Sequence, residues 1–296
     1  MLTGCHLPNG PISPDDLRLF SVGGYKAAKC MHYHHAADVL NVQTAGGGAV
    51  RIMGRLPDFP NPYDVAIANL PQVYARTCID VILRLRQVGV TDYQVDNEPQ
   101  YTWGKLKAGP WRYQYYMRLA VGEIRALLAM YHVQGVRLLS PPLSWSPALW
   151  KKDLGSGNPT DWTLDEWLDA FKYEPYAGAP NLWECFDAVS ANCYWQNERQ
   201  MKDDSFGANF VKVHTLSGGQ LPVVITEAGN SMRDRKPKPD PQAIEAEQAN
   251  EYPQYVDYVR GYPFVESVHF FLLGGTPDWD GFHLTEPICE ALRCFT

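Results

Sequence analysis

Eight short runs rich in apolar and β-branched residues alternate along this chain with eight helical segments, and that alternation leaves few folds open. The runs are Leu2–His6, Tyr25–His32, Ala49–Leu56, Val90–Val95, Val136–Leu139, Phe186–Cys193, Leu221–Thr226 and Phe264–Leu273. The first helix is announced by Ser13-Pro14-Asp15-Asp16, which supplies an N-cap, a proline at the first helical position and acids in the first turn. Asn69-Leu70-Pro71 opens a longer helix to about Gln87, where Val73, Tyr74, Cys78, Val81, Ile82 and Leu85 recur every three or four residues as a core-facing stripe. Gly109-Pro110 opens another, to about His132; the rest are His34–Leu40, Thr163–Tyr173, Asn209–Leu216, Pro241–Arg260 and Glu286–Cys294. Strand and helix in turn predict a parallel sheet with helices outside it, and eight units predict closure into an α/β (β/α)8 TIM barrel.

A chain of 296 residues, 45% of them hydrophobic, has room for one such barrel spanning residues 1–296 as a single domain. The competing architecture is an open, doubly wound sheet. Its nucleotide-binding forms are disfavoured, because no GxGxxG follows the first run and no Walker A sequence occurs. A net charge of −7 argues against a nucleic-acid partner, which would need a basic stripe. No apolar run approaches the ~20 residues needed to cross a membrane, so no membrane partner is expected. The start of the chain lacks a basic n-region and a long apolar h-region, so the default expectation is a cytoplasmic protein unless a leader has been removed. The seven cysteines stand mostly in apolar surroundings and read as small buried thiols, although spacing alone leaves a Cys289–Cys294 pair open. There is no CxxC, and no metal or other cofactor is expected.

Two stretches carry the chemistry. Asp96-Asn97-Glu98-Pro99 follows the fourth run, and Thr226-Glu227-Ala228-Gly229 ends the seventh. In a parallel barrel both positions lie at the C-terminal mouth, where such folds keep their sites. Two carboxylates facing one cleft are the minimum equipment for cleaving a glycosidic bond. The two roles need opposite surroundings. An acid must hold its proton through an apolar wall or a neighbouring negative charge, whereas a nucleophile must stay ionised through donors or a cation. Arg51 or Arg55, on the third run, is the candidate cation, and Tyr194, after the sixth, the candidate donor.

With these motifs the sequence resembles the clan A superfamily of retaining glycoside hydrolases, which carry Asn-Glu, often Asn-Glu-Pro, after strand four and a glutamate after strand seven. The resemblance implies that Glu98 is the acid/base and Glu227 the nucleophile, in a β-specific retaining glycosidase acting by double displacement. It also implies that Asn97 meets the sugar 2-hydroxyl and that Tyr194 matches a tyrosine the clan uses after strand six. Retention requires carboxyl groups ~5–5.5 Å apart, and ~6.5–9.5 Å would mean inversion. The chain differs from many clan members in having Asn192-Cys193-Tyr194 in place of His-x-Tyr, and Leu273-Gly274-Gly275 where a tryptophan often ends strand eight.

Aromatic residues cluster after the same strands. Tyr101 and Trp103 follow the fourth, Trp145 and Trp150 the fifth, Trp195 the sixth and Trp279 the eighth. Flat rings suit the CH-rich faces of sugars, so Trp103, Trp195 and Trp279, with Arg55 and His32, are expected to bind an oligo- or polysaccharide substrate. A barrel that binds carbohydrate without cleaving it is the alternative. A further one comes from His32-Tyr33-His34-His35, because His-x-His at a barrel mouth resembles the metal-dependent amidohydrolase superfamily. That family's pair belongs to strand one, with more histidines after strands five and six and an aspartate after strand eight. Here the fifth run ends in Ser140-Pro141 and the sixth in Asn192-Cys193-Tyr194, so the ligand set is incomplete. His32 or His34 hydrogen-bonding into a sugar site, with His35 at the surface, is the preferred reading.

Overall fold

The strands are β1 (Leu2–His6), β2 (Ala27–Cys30), β3 (Arg51–Arg55), β4 (Asp92–Gln94), β5 (Arg137–Leu139), β6 (Val189–Trp195), β7 (Val223–Asn230) and β8 (Val265–Phe270). In this computed structural model, which describes residues 1–60, 69–104, 106, 108–143, 162–174, 180–230, 240–274 and 281–296, they form one sheet in the order β5-β4-β3-β2-β1-β8-β7-β6. Every laddered pair is parallel. The two end strands meet through a bridge between Leu139 and Ala188, flanked by bonds from Asp187 N–H to Leu138 O and from Ser140 N–H to Ala188 O. The sheet is therefore a nearly closed TIM barrel, as the alternation predicts.

Helices α1 (Pro14–Gly23), α2 (Ala36–Ala45), α3 (Leu70–Arg86), α4 (Gln100–Trp103), α5 (Gly109–Met130), α6 (Leu164–Lys172), α7 (Glu198–Met201), α8 (Asn209–Leu216), α9 (Pro241–Arg260) and α10 (Glu286–Leu292) surround it. Their ends follow local chemistry. Ser13 caps α1 reciprocally: its hydroxyl accepts from Asp16 N–H at 3.1 Å, while Asp16 Oδ2 accepts from Ser13 N–H at 2.7 Å. Gly24, at φ +63°, stops the same helix in the left-handed conformation that glycine adopts without strain. On α3 the stripe Tyr74, Cys78, Val81, Ile82 and Leu85 is buried, but Val73 lies on the exposed side at 42%. All seven thiols are free: Cys5, Cys30, Cys78, Cys193 and Cys289 are buried, Cys185 is half-buried and Cys294 exposed.

Alternation along the strands separates two cores. Outward-facing Ala28, Cys30, Val223 and Ile225 join the large core beneath the helices, whereas Met53, Leu139, Ala188 and Val224 pack together inside the barrel. Below them, Arg51 is bonded to Asp92 and Glu266, and Arg137 to Glu266. These charges close the N-terminal end. Arg51 is thus a bottom-layer residue remote from the chemistry expected of it. A void inside the barrel beside Met53, Asp92 and His269 is only about 10 Å³. Residues two positions further along the inward rows, such as Lys29 after Ala27, form the floor of the mouth.

Candidate active site

Glu227 reaches the mouth through an irregularity of β7. Val224 faces inward, so strict alternation would turn position 227 out toward the helices. The β6–β7 register instead pairs Ala191 with Ile225 and then Asn192 with Glu227, leaving Thr226 as the extra residue of a bulge. A bulge re-aims the side chain that follows it. Here it turns Glu227 into the barrel while Thr226 bonds inward, its hydroxyl donating to Asn192 Oδ1 at 2.8 Å.

The Glu227 carboxylate is buried and held at both oxygens. Lys29 Nζ donates to Oε1 at 2.7 Å, and the Tyr194 hydroxyl donates to Oε2 at 2.7 Å. Burial by itself would raise the carboxyl, but the Lys29 ammonium, with the Arg55 charge behind it, outweighs burial and holds it down at about 2. Lys29 is itself fully buried, and burial lowers its ammonium against the restraint of Glu227. Tyr194 is pushed well up by burial and by the charges of Glu227 and Glu98, so it remains a donor. His6, on β1, stands 3.9 Å from Glu227 Oε1 and packs edge-on against Phe271. Burial and then Lys29 push its imidazole well below its usual range, which keeps it neutral with Nδ1–H on the Leu7 carbonyl at 2.7 Å.

Glu98 stands just beyond β4 on a tightly wound segment. Asp96 and Glu98 both have positive φ, +58° and +50°, which non-glycine residues adopt only when their surroundings hold them there. Asp96 supplies that hold: its carboxylate accepts from Phe59 N–H at 3.0 Å, Asn97 N–H at 2.7 Å and the Tyr113 hydroxyl at 2.7 Å. Burial and the nearby Asp58 charge push the Asp96 carboxyl up to about 7 against those donors. Glu98 is half-buried; its N–H donates to Pro142 O at 3.0 Å and its Oε1 accepts from Asn192 Nδ2 at 3.0 Å. Asn192 therefore touches one glutamate and stands in register beside the other. The charges of Lys29 and Arg55 are likewise felt by both Glu98 and Glu227, and the Tyr194 phenol is raised by both carboxylates. Asn97, beside them, accepts from Gln94 Nε2 at 3.0 Å.

The remaining expected residues divide. Arg55 lies at the mouth but binds Asp58 at 2.6 Å, so Lys29 and not Arg55 is the cation in contact with Glu227. His32 is half-buried and lowered by burial and then by Arg55. His34 is buried and committed to the backbone: Met31 N–H donates to its Nδ1 at 3.1 Å, so its Nε2–H donates to Gly10 O at 3.1 Å. Neither nitrogen is offered to a metal, contrary to the His32/His34 ligand pair. Trp103 is wholly buried, stacked on Phe59 at 5.6 Å and 8°, and gives no face to a substrate. Trp195 is also wholly buried, with Nε1–H on Glu251 at 2.7 Å and its ring on Tyr255. Trp103 follows β4 and Trp195 is the last residue of β6, yet both point into the layer between sheet and helices. Trp145, Trp150 and Trp279 lie outside the described residues.

Sequence reasoning passed over Lys29 and gave Asn192 no role. A signal for Lys29 was present: it stands in the four-residue strand Ala27-Ala28-Lys29-Cys30, and a lysine buried in a parallel strand requires a counter-charge.

No protein-family model matches the chain, and no curated protein matches it. Solved structures do. A GH128 (subgroup II) endo-β-1,3-glucanase from Pseudomonas viridiflava is similar with a TM-score of 0.56 and 17% identity, over 98% of this chain and 96% of that one. A glucosidase from Croceicoccus marinus is similar with a TM-score of 0.60 and 12% identity, over 99% of this chain and 66% of that one. A Bifidobacterium dentium β-glucuronidase, complexed with coumarin-3-O-glucuronide, gives 0.61 and 13%, over 99% of this chain but only 45% of its own length. At these identities the likeness is one of fold, and it places the chain among (β/α)8 barrels.

Proposed function

We propose that the chain is a retaining glycoside hydrolase that cleaves β-glycosidic bonds within one (β/α)8 unit, with Glu227 as nucleophile and Glu98 as acid/base. The observation that carries this reading is the asymmetry of the two carboxylates. Glu227 is buried and held ionised by direct bonds from Lys29 and Tyr194, whereas Glu98 is half-buried at the cleft and accepts from the Asn192 amide. An ionised carboxylate can attack an anomeric carbon, and a carboxyl at the cleft wall can carry a proton to the leaving oxygen. The enzymes of similar fold named above are glycosidases by their names, which supports the same class.

In the first step a Glu227 oxygen bonds to the anomeric carbon as the glycosidic C–O bond breaks, and the Glu98 proton passes to the departing oxygen. The glycosyl ester neutralises Glu227, so the charges of Lys29 and Arg55 then favour Glu98 as a carboxylate. Glu98 next takes a proton from water, the hydroxide oxygen bonds to the anomeric carbon, and the bond to Glu227 breaks. Asn97, at the cleft beside Glu98, is the proposed partner of the sugar 2-hydroxyl. His32 and Arg55 line the substrate side.

The test is hydrolysis of aryl β-glucoside, mannoside, xyloside, galactoside and glucuronide together with β-1,3- and β-1,4-glucans. Glu227→Ala is expected to abolish turnover that the wild type shows, and proton NMR of the first product to show retained configuration. Wild-type turnover by Glu227→Ala would sink the assignment of the nucleophile. An inverted first product would sink double displacement. Tight sugar binding by the wild type with no cleavage would instead make this a carbohydrate-binding barrel.

A further inference from the structure

The strand order fixes how an oligosaccharide would cross the mouth. Glu98 follows β4 and Glu227 lies in β7. From β4 to β7 the short way round passes β5 and β6, and the long way passes β3, β2, β1 and β8. A sugar chain whose scissile bond lies between the two carboxylates must run across the line joining them. It therefore leaves the centre over β5 and β6 in one direction and over β1 and β2 in the other.

The loop after β2 carries Tyr33. Tyr33 is 41% exposed, and its ring is flanked edge-on by His32 at 5.1 Å and 74° and by His34 at 5.2 Å and 78°. His34 cannot yield, because Met31 and Gly10 hold both its nitrogens. Tyr33 is not among the residues that pack into the large core, so its exposed ring stands outside it between two others. It has the form of a platform for the apolar face of a pyranose. Tyr33 follows the C-terminal end of β2, on the same side of the sheet as Glu98 after β4, and the Arg55 charge reaches its hydroxyl as it reaches both glutamates. His32, half-buried beside it, adds a polar rim.

We propose that Tyr33 is the stacking platform of a sugar subsite over β2, one that binds a residue of the chain other than those flanking the cleaved bond. The proposal rests on the glycoside hydrolase reading. It makes the enzyme favour oligosaccharides over short glycosides.

The experiment compares wild type, Tyr33→Ala and Tyr33→Trp on an aryl β-glucoside and on β-1,3- and β-1,4-linked glucose oligomers of two to six units. Calorimetric binding of the hexamers is measured in parallel. Tyr33→Ala is expected to leave kcat/KM for the aryl glucoside within about twofold and to lower that for the hexamer about tenfold or more. Tyr33→Trp is expected to keep the preference for length. An equal effect at every length, or none, overturns the subsite while leaving the hydrolase reading intact. If the wild type cleaves nothing, that reading falls for these sugars and the subsite is judged on binding. Hexamer binding weakened about tenfold by Tyr33→Ala then supports it, and unchanged or absent binding overturns it.

Discussion

Replacing Lys29 by methionine tests the electrostatics of the site without assuming what the site does. Methionine keeps most of the buried volume of Lys29 and removes its charge. In the native chain Glu227 titrates at about 2 against an ordinary value of 4.5, with Lys29 the foremost charge lowering it. Without Lys29, burial dominates and the carboxyl rises to its ordinary value or above. That interval, at ~1.4 kcal/mol per pH unit, corresponds to roughly 3 kcal/mol at neutral pH, of the order of the ~3–5 kcal/mol cost of breaking a buried ion pair. The pH dependence has a definite sign. A depressed carboxyl contributes stability that is complete above about 4.5 and is lost as pH falls through about 2. The deficit of Lys29→Met is therefore full at pH 7 and shrinks to roughly half or less at pH 3. Urea unfolding followed by tryptophan fluorescence at both pH values measures it. Adding Glu227→Gln removes the stranded charge, so the double variant should be more stable at pH 7 than Lys29→Met alone. Equal deficits at pH 7 and pH 3, with strictly additive single effects, would refute the ion pair as the source of the shift.

Tyr194→Phe removes a 2.7 Å bond to the same carboxylate. Hydrogen bonds to charged groups are worth ~1.5–3 kcal/mol, so a loss of about tenfold to a hundredfold in kcat/KM is expected on any glycoside the wild type cleaves. Trp103→Ala is expected to cost ~3–5 kcal/mol of stability as a core truncation, read by the same urea unfolding. A variant equally stable but weak in sugar binding would return Trp103 to the cleft.

The barrel was legible in the sequence because eight strand-like runs separated by capped amphipathic helices allow little else. Both glutamates were legible because each ends such a run. What escaped was orientation. Tryptophans after strand ends were read as lining the mouth, but the direction of a side chain there depends on the chain beyond it. Helix α4 turns Trp103 beneath Phe59 and Tyr113, and β6 continues far enough to bury Trp195 against Tyr255. The Thr226 bulge was equally hidden, since nothing in Val-Val-Ile-Thr-Glu marks which residue is the extra one. Lys29 was missed for a different reason: one charge in a short apolar strand looks like an interruption until its counter-charge, 198 positions away, is seen beside it.

The place where the barrel closes has a mechanical consequence. Among the described residues, strands β5 and β6 are joined by one bridge, its flanking bonds and two side-chain bonds through Ser140 and Asp187, where other neighbours share longer ladders. Glu98 lies on one side of that seam and Glu227 on the other. Asn192, from β6, reaches across it to Glu98 at 3.0 Å while Thr226 holds its other amide atom. Opening of the seam would act like the jaws of a calliper, widening the gap between the carboxylates with little change elsewhere in the sheet. Under the proposed mechanism that gap decides whether Glu227 or an interposed water attacks the anomeric carbon, so Asn192, a residue with no proton to give, would bear on the stereochemical outcome through spacing alone.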